Sequence, residues 1–162
     1  MGAARAILLL WLAATAAIFA GAVGAASIVQ APLRDTVRQA DAIVVGTVVS
    51  RESRWGDASH RWMQTDYTLA VEDVIFAPSG GLSAGKTIVL TYWGGTIGGE
   101  TQEASDIRAP AMNERVMVML HDRWAQRTTL APTVGFNQGL FTVAPDGAVR
   151  DADGRQVTMT SG

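Results

Sequence analysis

The clearest hydrophobic signal in the chain is the run Ala40-Asp41-Ala42-Ile43-Val44-Val45-Gly46-Thr47-Val48-Val49-Ser50, in which β-branched residues follow one another around a single glycine. Val and Ile lose little side-chain freedom in a pleated strand, and a run this apolar requires cover on both faces. Glycine inside such a run weakens it, so Gly46 predicts a bend or bulge in a central strand. From Arg61 onward the pattern alternates, with Tyr67, Leu69 and Val71 in one phase. That phase jumps by one residue across Glu72-Asp73 to Val74 and Phe76, as an inserted bulge residue requires. A second strand, long and bent, is therefore expected from Arg61 to Phe76.

Further strands are predicted at Lys86–Trp93, at Glu114–His121, and from Val134 to Val143 into a hairpin that turns at Ala144-Pro145-Asp146-Gly147 and ends at Arg150. A short strand is expected within Glu100–Asp106. The segments 51–57, 77–85, 94–99 and 122–129 read as turns or loops by composition. Ahead of the first strand, Leu33, Val37 and Ala40 recur at helical spacing behind Pro32, which predicts a short helix plugging one end of the sheet. Together these elements suit an all-β domain: a five-to-six-stranded Greek-key barrel of the oligonucleotide/oligosaccharide-binding (OB) type, with a small β-sandwich as the alternative.

Composition divides the chain before any chemistry is considered. The 162 residues are 48% hydrophobic, but Met1–Ala26 inflates that figure, since it holds one basic residue, Arg5, and no acidic one. The apolar stretch Ala6–Leu12 and the small residues ending at Ala25-Ala26-Ser27 complete the three parts of a secretory signal peptide. An uncleaved anchor is the alternative, because the apolar run to Val29 is close to the ~20 residues that span a bilayer. The expected division is a signal peptide over 1–26, a β-barrel domain over 27–154 and a disordered tail over 155–162, with the product secreted or periplasmic. Cleavage takes Arg5 from the 13 basic residues and leaves all 15 acidic ones, a net charge of about −3. That sign disfavours nucleic acid and anionic lipid as partners. With no cysteine, the exported domain relies on packing rather than disulfides.

Three motifs invite a catalytic or cofactor reading, and each lacks its context. Gly80-Gly81-Leu82-Ser83-Ala84-Gly85-Lys86-Thr87 matches the phosphate-binding G-x-x-x-x-G-K-[ST] pattern residue for residue, and Val116–Leu120 leading to Asp122 imitates the second nucleotide motif. The mechanism needs a helix starting at the lysine, however, and Ile88–Trp93 reads as a strand; no nucleotide is expected. His60 and His121 lack metal-ligand spacing, so no metal or other cofactor is expected. A hydrolase built on His121 and Asp122 remains an alternative, although Ser50, Ser53, Ser59, Ser79, Ser83 and Ser105 lie in no G-x-S-x-G context. Glu72 and Asp73 point to opposite faces of a strand and cannot share a substrate.

The tryptophans Trp55, Trp62, Trp93 and Trp124 are of more interest, because three of them border predicted loops. Amphipathic aromatics at a rim suit carbohydrate and protein recognition, whereas capping of the barrel end is the structural alternative. The loops 55–62 and 93–99 offer Trp55, Trp62, Trp93 and Thr96 as binding residues.

The sequence Leu33…Ala40-Asp41-Ala42-Ile43-Val44-Val45-Gly46-Thr47-Val48, then Thr65…Leu69…Val71-Glu72-Asp73-Val74, Gly85…Ile88-Val89-Leu90, Gly94-Gly95, Pro110, Glu114-Arg115-Val116 and Gln138-Gly139-Leu140-Phe141 resembles a group of exported bacterial domains, some of which precede matrixin-like zinc proteases. More distantly it is similar to the netrin-like module of the tissue inhibitors of metalloproteases. The resemblance spans Leu33 to Arg150 and implies an OB-like fold. The inhibitors act through an N-terminal cysteine, which this chain lacks, and no H-E-x-x-H protease motif is present. The expected function is a non-catalytic module that binds a protein or a glycan through rim loops. The alternatives are the His121/Asp122 hydrolase and a structural or pro-domain-like role beside a protease.

Overall fold

The computed structural model describes residues 30–105, 107–127 and 130–158, so the segment read as a signal peptide lies outside the described residues. In chain order a short helix α1 (Leu33–Gln39) leads into β1 (Ala42–Trp55), β2 (Met63–Phe76), β3 (Thr87–Trp93), β4 (Gly95–Ile97), β5 (Glu100–Gln102), β6 (Arg115–Leu120), β7 (Leu140–Val143) and β8 (Val149–Arg150). Six strands form one antiparallel sheet in the order β3-β2-β1-β6-β7-β8, and β4 and β5 form a separate hairpin. The domain is all-β, with one short helix at its start.

The sheet coils around one large core, and a smaller cluster of Ala40, Ile43, Met119, Val134 and Phe141 is buried separately. Val44 and Val48 of β1, Leu69 and Val71 of β2, Leu90 and Tyr92 of β3, Val116 and Val118 of β6, and Leu140 of β7 belong to one buried cluster. The expected closed barrel is not found: among the described residues β3 and β8 are the outer strands of an open sheet. The space beyond β3 is taken by the segment between β6 and β7. Its residues Thr133 and Val134 run beside the end of β6, and the Leu130 carbonyl accepts one hydrogen bond from the Trp93 N–H at 3.0 Å. One bond in place of a ladder leaves the sheet wrapped but unclosed. Trp124 sits in a 3₁₀ turn (Trp124–Gln126) and packs on the core.

Gly46 and its bulge behave as the sequence pattern requires. The β1–β2 register steps from Val45↔Asp73 to Gly46↔Val71, which leaves Glu72 as the extra residue. A second bulge leaves out Ile75 and a third leaves out Val49 on β1. At Gly46 the strands approach so closely that a Cβ would stand 2.3 Å from the Ala70 carbonyl oxygen.

Four expectations are corrected. First, β1 does not stop at Ser50 but continues to Trp55, paired residue by residue with β2 from Arg51↔Tyr67 to Trp55↔Met63. Beyond the end of β6 this polar part of β1 and its β2 partner form a ribbon that β3 continues on the other side of β2, and a polar, half-exposed segment shows no hydrophobic run. Second, 134–139 is not strand: Gly135 and Phe136 both take positive φ, a 3₁₀ turn follows over Phe136–Gly139, and pairing begins at Leu140. Third, α1 buries Thr36 at 2% exposure, while Leu33 and Val37 stand 42% and 40% exposed. A helix of seven residues is oriented by its tethers rather than by an apolar stripe: the Ala31 N–H donates to Gln138 Oε1 at 2.6 Å, and the Asp41 N–H to the Leu120 carbonyl at 2.8 Å. Fourth, the stretch expected to fray from Arg155 is held at its start, where Gln156 bridges to Arg150, the Val157 N–H donates to the Val149 carbonyl, and Arg155 pairs with Asp151 and Asp153.

Candidate ligand-binding site

Pairing in an antiparallel ladder fixes which side chains share a face, because directly opposed residues project the same way and successive residues alternate. In the β1–β2 ribbon, Arg51, Ser53 and Trp55 stand opposite Tyr67, Thr65 and Met63, continuing the face that carries Leu69 and Val71 into the core. Arg54, Trp62, Gln64 and Asp66 belong to the outer face. The predicted binding tryptophans therefore divide. Trp62 stacks on Trp93 of β3 at 5.6 Å between centroids and 14° between planes, on the outer face where Trp93 pairs with Gln64. Trp55 belongs to the inner face and stacks on His60 at 4.8 Å, also at 14°.

The turn that carries His60 is built by Asp57. Its carboxylate accepts from the Arg61 N–H at 3.0 Å and from Arg61 Nε at 2.8 Å, and the backbone bond from Arg61 is the largest influence holding Asp57 below the usual carboxylate range. Gly56 lies against the Trp62 indole, where a Cβ would come within 1.7 Å of Nε1. That indole N–H is buried with no acceptor among the described residues, and Arg61 lies over the ring at 5.7 Å.

The outer face is sealed by charge and by the segment after β6. Asp66 Oδ1 accepts from Thr91 Oγ1 at 2.6 Å, and its Oδ2 from Arg54 Nε at 3.1 Å and Arg127 Nη1 at 3.4 Å. Gln64 Nε2 donates to the Arg127 carbonyl at 3.1 Å. Gln64 and Thr91 are consequently buried although they belong to the outer face. The Trp62–Trp93 pair sits at the margin of this seal.

The inner face keeps a recess instead, although Met63, Thr65 and Tyr67 are themselves buried. The β4–β5 hairpin crosses it, tied down where Thr65 Oγ1 donates to the Gly94 carbonyl at 2.7 Å, the Gly94 N–H to the Met63 carbonyl at 2.9 Å, and the Met63 N–H to Gln102 Oε1 at 2.7 Å. Gly95 passes directly over the ribbon: a Cβ there would meet Thr65 Oγ1 at 2.4 Å and Ser53 Oγ at 2.6 Å. Between hairpin and ribbon lies a groove of about 410 Å³ lined by Arg51, Ser53, Thr65, Tyr67, Thr96 and Ile97. Ser53 and Thr65 share a hydrogen bond at 2.9 Å, and the Thr96 N–H approaches Ser53 Oγ at 3.4 Å. Tyr67 rests edge-on against the fully buried Tyr92 at 5.6 Å. Burial pushes the Tyr67 hydroxyl above its ordinary pKa, and the charge of Arg51 acts the other way.

Of the four residues singled out in the sequence, Thr96 lines this groove and Trp55 stands on the same strand face two residues beyond Ser53, whereas Trp62 and Trp93 lie on the other side of the ribbon. Arg51, Ser53, Thr65 and Tyr67 escaped the sequence reading. A signal for two of them was present: Thr65 and Tyr67 occupy the inward phase of β2 and carry hydroxyls that a closed core would have to satisfy.

The His121 and Asp122 pair is not arranged for hydrolysis. His121 Nδ1 accepts the Arg123 N–H at 2.9 Å, so its Nε2–H donates to the Ala131 carbonyl at 3.1 Å, and both ring nitrogens are committed to backbone. Asp122 stands 3.7 Å from Nδ1 with its side chain 80% exposed, and among the described residues no serine lines the recess around them. The G-x-x-x-x-G-K-[ST] match leads into strand β3, without the helix that the phosphate geometry requires. Among the described residues no group of three or more His, Cys, Asp or Glu side chains is placed to hold a metal ion, and no helix is long and apolar enough to cross a membrane. Comparison of the chain with protein-family models, with curated proteins and with solved structures finds no match.

Proposed function

We propose that this chain is an exported, non-catalytic binding module of OB-like architecture that takes an extended polar ligand, a glycan or a protein segment, into the groove between the β1–β2 ribbon and the β4–β5 hairpin. The groove itself carries the proposal: hydroxyls of Ser53, Thr65, Tyr67 and Thr96 converge there beside a guanidinium, and Trp55 extends the same face. Pockets with a few converging polar groups are where small ligands bind, and an amphipathic ring at the margin suits a sugar face or a peptide backbone.

Export rests on the signal-peptide pattern of Met1–Ala26. The OB-like relation is supported by the sheet order, in which β6 returns beside β1 after the β1-β2-β3 meander, and by the bend at Gly46. A module of this kind needs no cofactor. The test is a binding screen of envelope glycans and envelope proteins against wild type, Trp55→Ala and Trp93→Ala. Binding that Trp55→Ala abolishes and Trp93→Ala spares supports the groove. A screen without any binder, or one sensitive only to Trp93, overturns it.

A further inference from the structure

The groove is lined mostly by polar side chains, and its charge is one-sided. Among the described residues Arg51 is the cation in its lining, and no Asp or Glu lines it beside Ser53, Thr65, Tyr67 and Thr96. The other arginines of this end have carboxylate partners: Arg54 and Arg127 share Asp66, and Arg61 is held by Asp57. The Arg51 side chain makes no ion pair and no hydrogen bond among the described residues, and it stands directly opposite Tyr67, whose hydroxyl feels its charge. An unpaired guanidinium beside hydroxyl groups offers a planar fork for one carboxylate and leaves the hydroxyls to meet neutral polar groups on the same ligand.

We infer that the groove recognises an acidic sugar, with the uronate-type carboxylate on Arg51 and the ring hydroxyls on Ser53 and Thr96. This deepens the binding proposal above and rests on it. A glycan fits better than a peptide carboxyl terminus. The lining offers one aliphatic side chain, Ile97, to receive a peptide's apolar residues, and the β4 strand already pairs with β5. The neighbouring Trp55 supplies the kind of flat apolar surface on which sugar rings stack.

The experiment titrates the 15N-labelled protein with three probes: trigalacturonic acid, its fully methyl-esterified form, and an N-acetylated tetrapeptide with a free carboxyl terminus. The expected result is displacement of the Ser53, Thr65 and Thr96 amide signals by the acid, with the ester at least tenfold weaker. Binding of the acid should weaken as salt is added. Arg51→Gln, at an exposed position, should bring the acid down to the level of the ester, while Trp55→Ala weakens both. Equal binding of acid and ester, or indifference to Arg51→Gln, overturns the acidic-sugar inference and leaves the groove as a binding site. Tighter binding of the peptide than of the acid overturns it in favour of a protein ligand. No response to any probe also overturns it, and the envelope screen then decides the groove separately.

Discussion

Replacing Gly46 by alanine should destabilise the domain, against the usual effect of such a change. At an unconstrained position Gly→Ala stabilises by about 0.4–1 kcal/mol, through loss of freedom in the unfolded chain. Gly46 has no positive φ that would itself penalise alanine. The obstacle is space: the new Cβ would stand 2.3 Å from the Ala70 carbonyl oxygen, 3.0 Å from its carbon and 3.0 Å from Leu69 Cγ. The first contact lies more than ~1 Å inside the ~3.5 Å of an ordinary non-bonded approach. Relief requires moving backbone, and the backbone on both sides is fixed, since β1 is paired with β2 and β6 at this level through Gly46↔Val71 and Gly46↔Val116. Overpacking of this kind costs about 1–3 kcal/mol, and with backbone as the obstacle the upper part of that range applies. For a domain of this size roughly 3–4 °C accompanies each kcal/mol, so Tm should fall by about 6–12 °C. Urea unfolding followed by circular dichroism gives the free energy directly, with Val49→Ala at the exposed third bulge as a control expected to stay within about 0.5 kcal/mol. A Gly46→Ala protein as stable as wild type would refute the close-approach account of the bend.

Trp55→Ala should weaken ligand binding about thirtyfold, the scale of a ~2 kcal/mol hot spot, and Trp93→Ala should leave it unchanged; titration calorimetry distinguishes the two. Stability should fall in acid. Burial works against the ionisation of Asp66 and Glu114, but bonds from Thr91 and Arg54 to the first, and from Thr142, the Ala111 N–H and Arg108 to the second, outweigh it and hold both carboxyls below their ordinary value. The unfolded chain therefore takes up protons first as pH drops, so the contribution of these groups is complete above about pH 5 and is lost progressively below about pH 4. Asp66→Asn should flatten a plot of Tm against pH over that window, and an unaltered slope would contradict the assignment. Lys86→Ala should change neither stability nor any affinity for ATP, which calorimetry should find absent in both proteins, because β3 follows where a phosphate-binding helix would have to begin.

Strands that pack a core were legible because burial imposes a period. Val44 and Val48, Leu69 and Val71, and Val116 and Val118 announce β1, β2 and β6, and the phase jump at Glu72-Asp73 locates the bulge beside Gly46. The groove was legible only at its edges. Arg51, Ser53 and Arg54 look like loop residues because the ribbon they form is half-exposed, and the pairing that turns them into a strand comes from Tyr67, Thr65 and Gln64, ten or more residues away. The tryptophans drew attention by type, but type says nothing about face. Only the register places Trp55 inward and Trp62 with Trp93 outward. Closure was overestimated for a similar reason: nothing in the alternation of β3 shows that its outer side meets Leu130 through one bond instead of a strand.

The most direct test of the account is a map of ligand contact on the two faces of the ribbon. Amide signals of the labelled protein should be followed while oligosaccharide fractions from the cell envelope are added. The account predicts displacement concentrated at Ser53, Thr65, Tyr67 and Thr96, with Gln64 and Trp93 undisturbed. Displacement confined to Gln64 and Trp93, or none with any fraction, would contradict it.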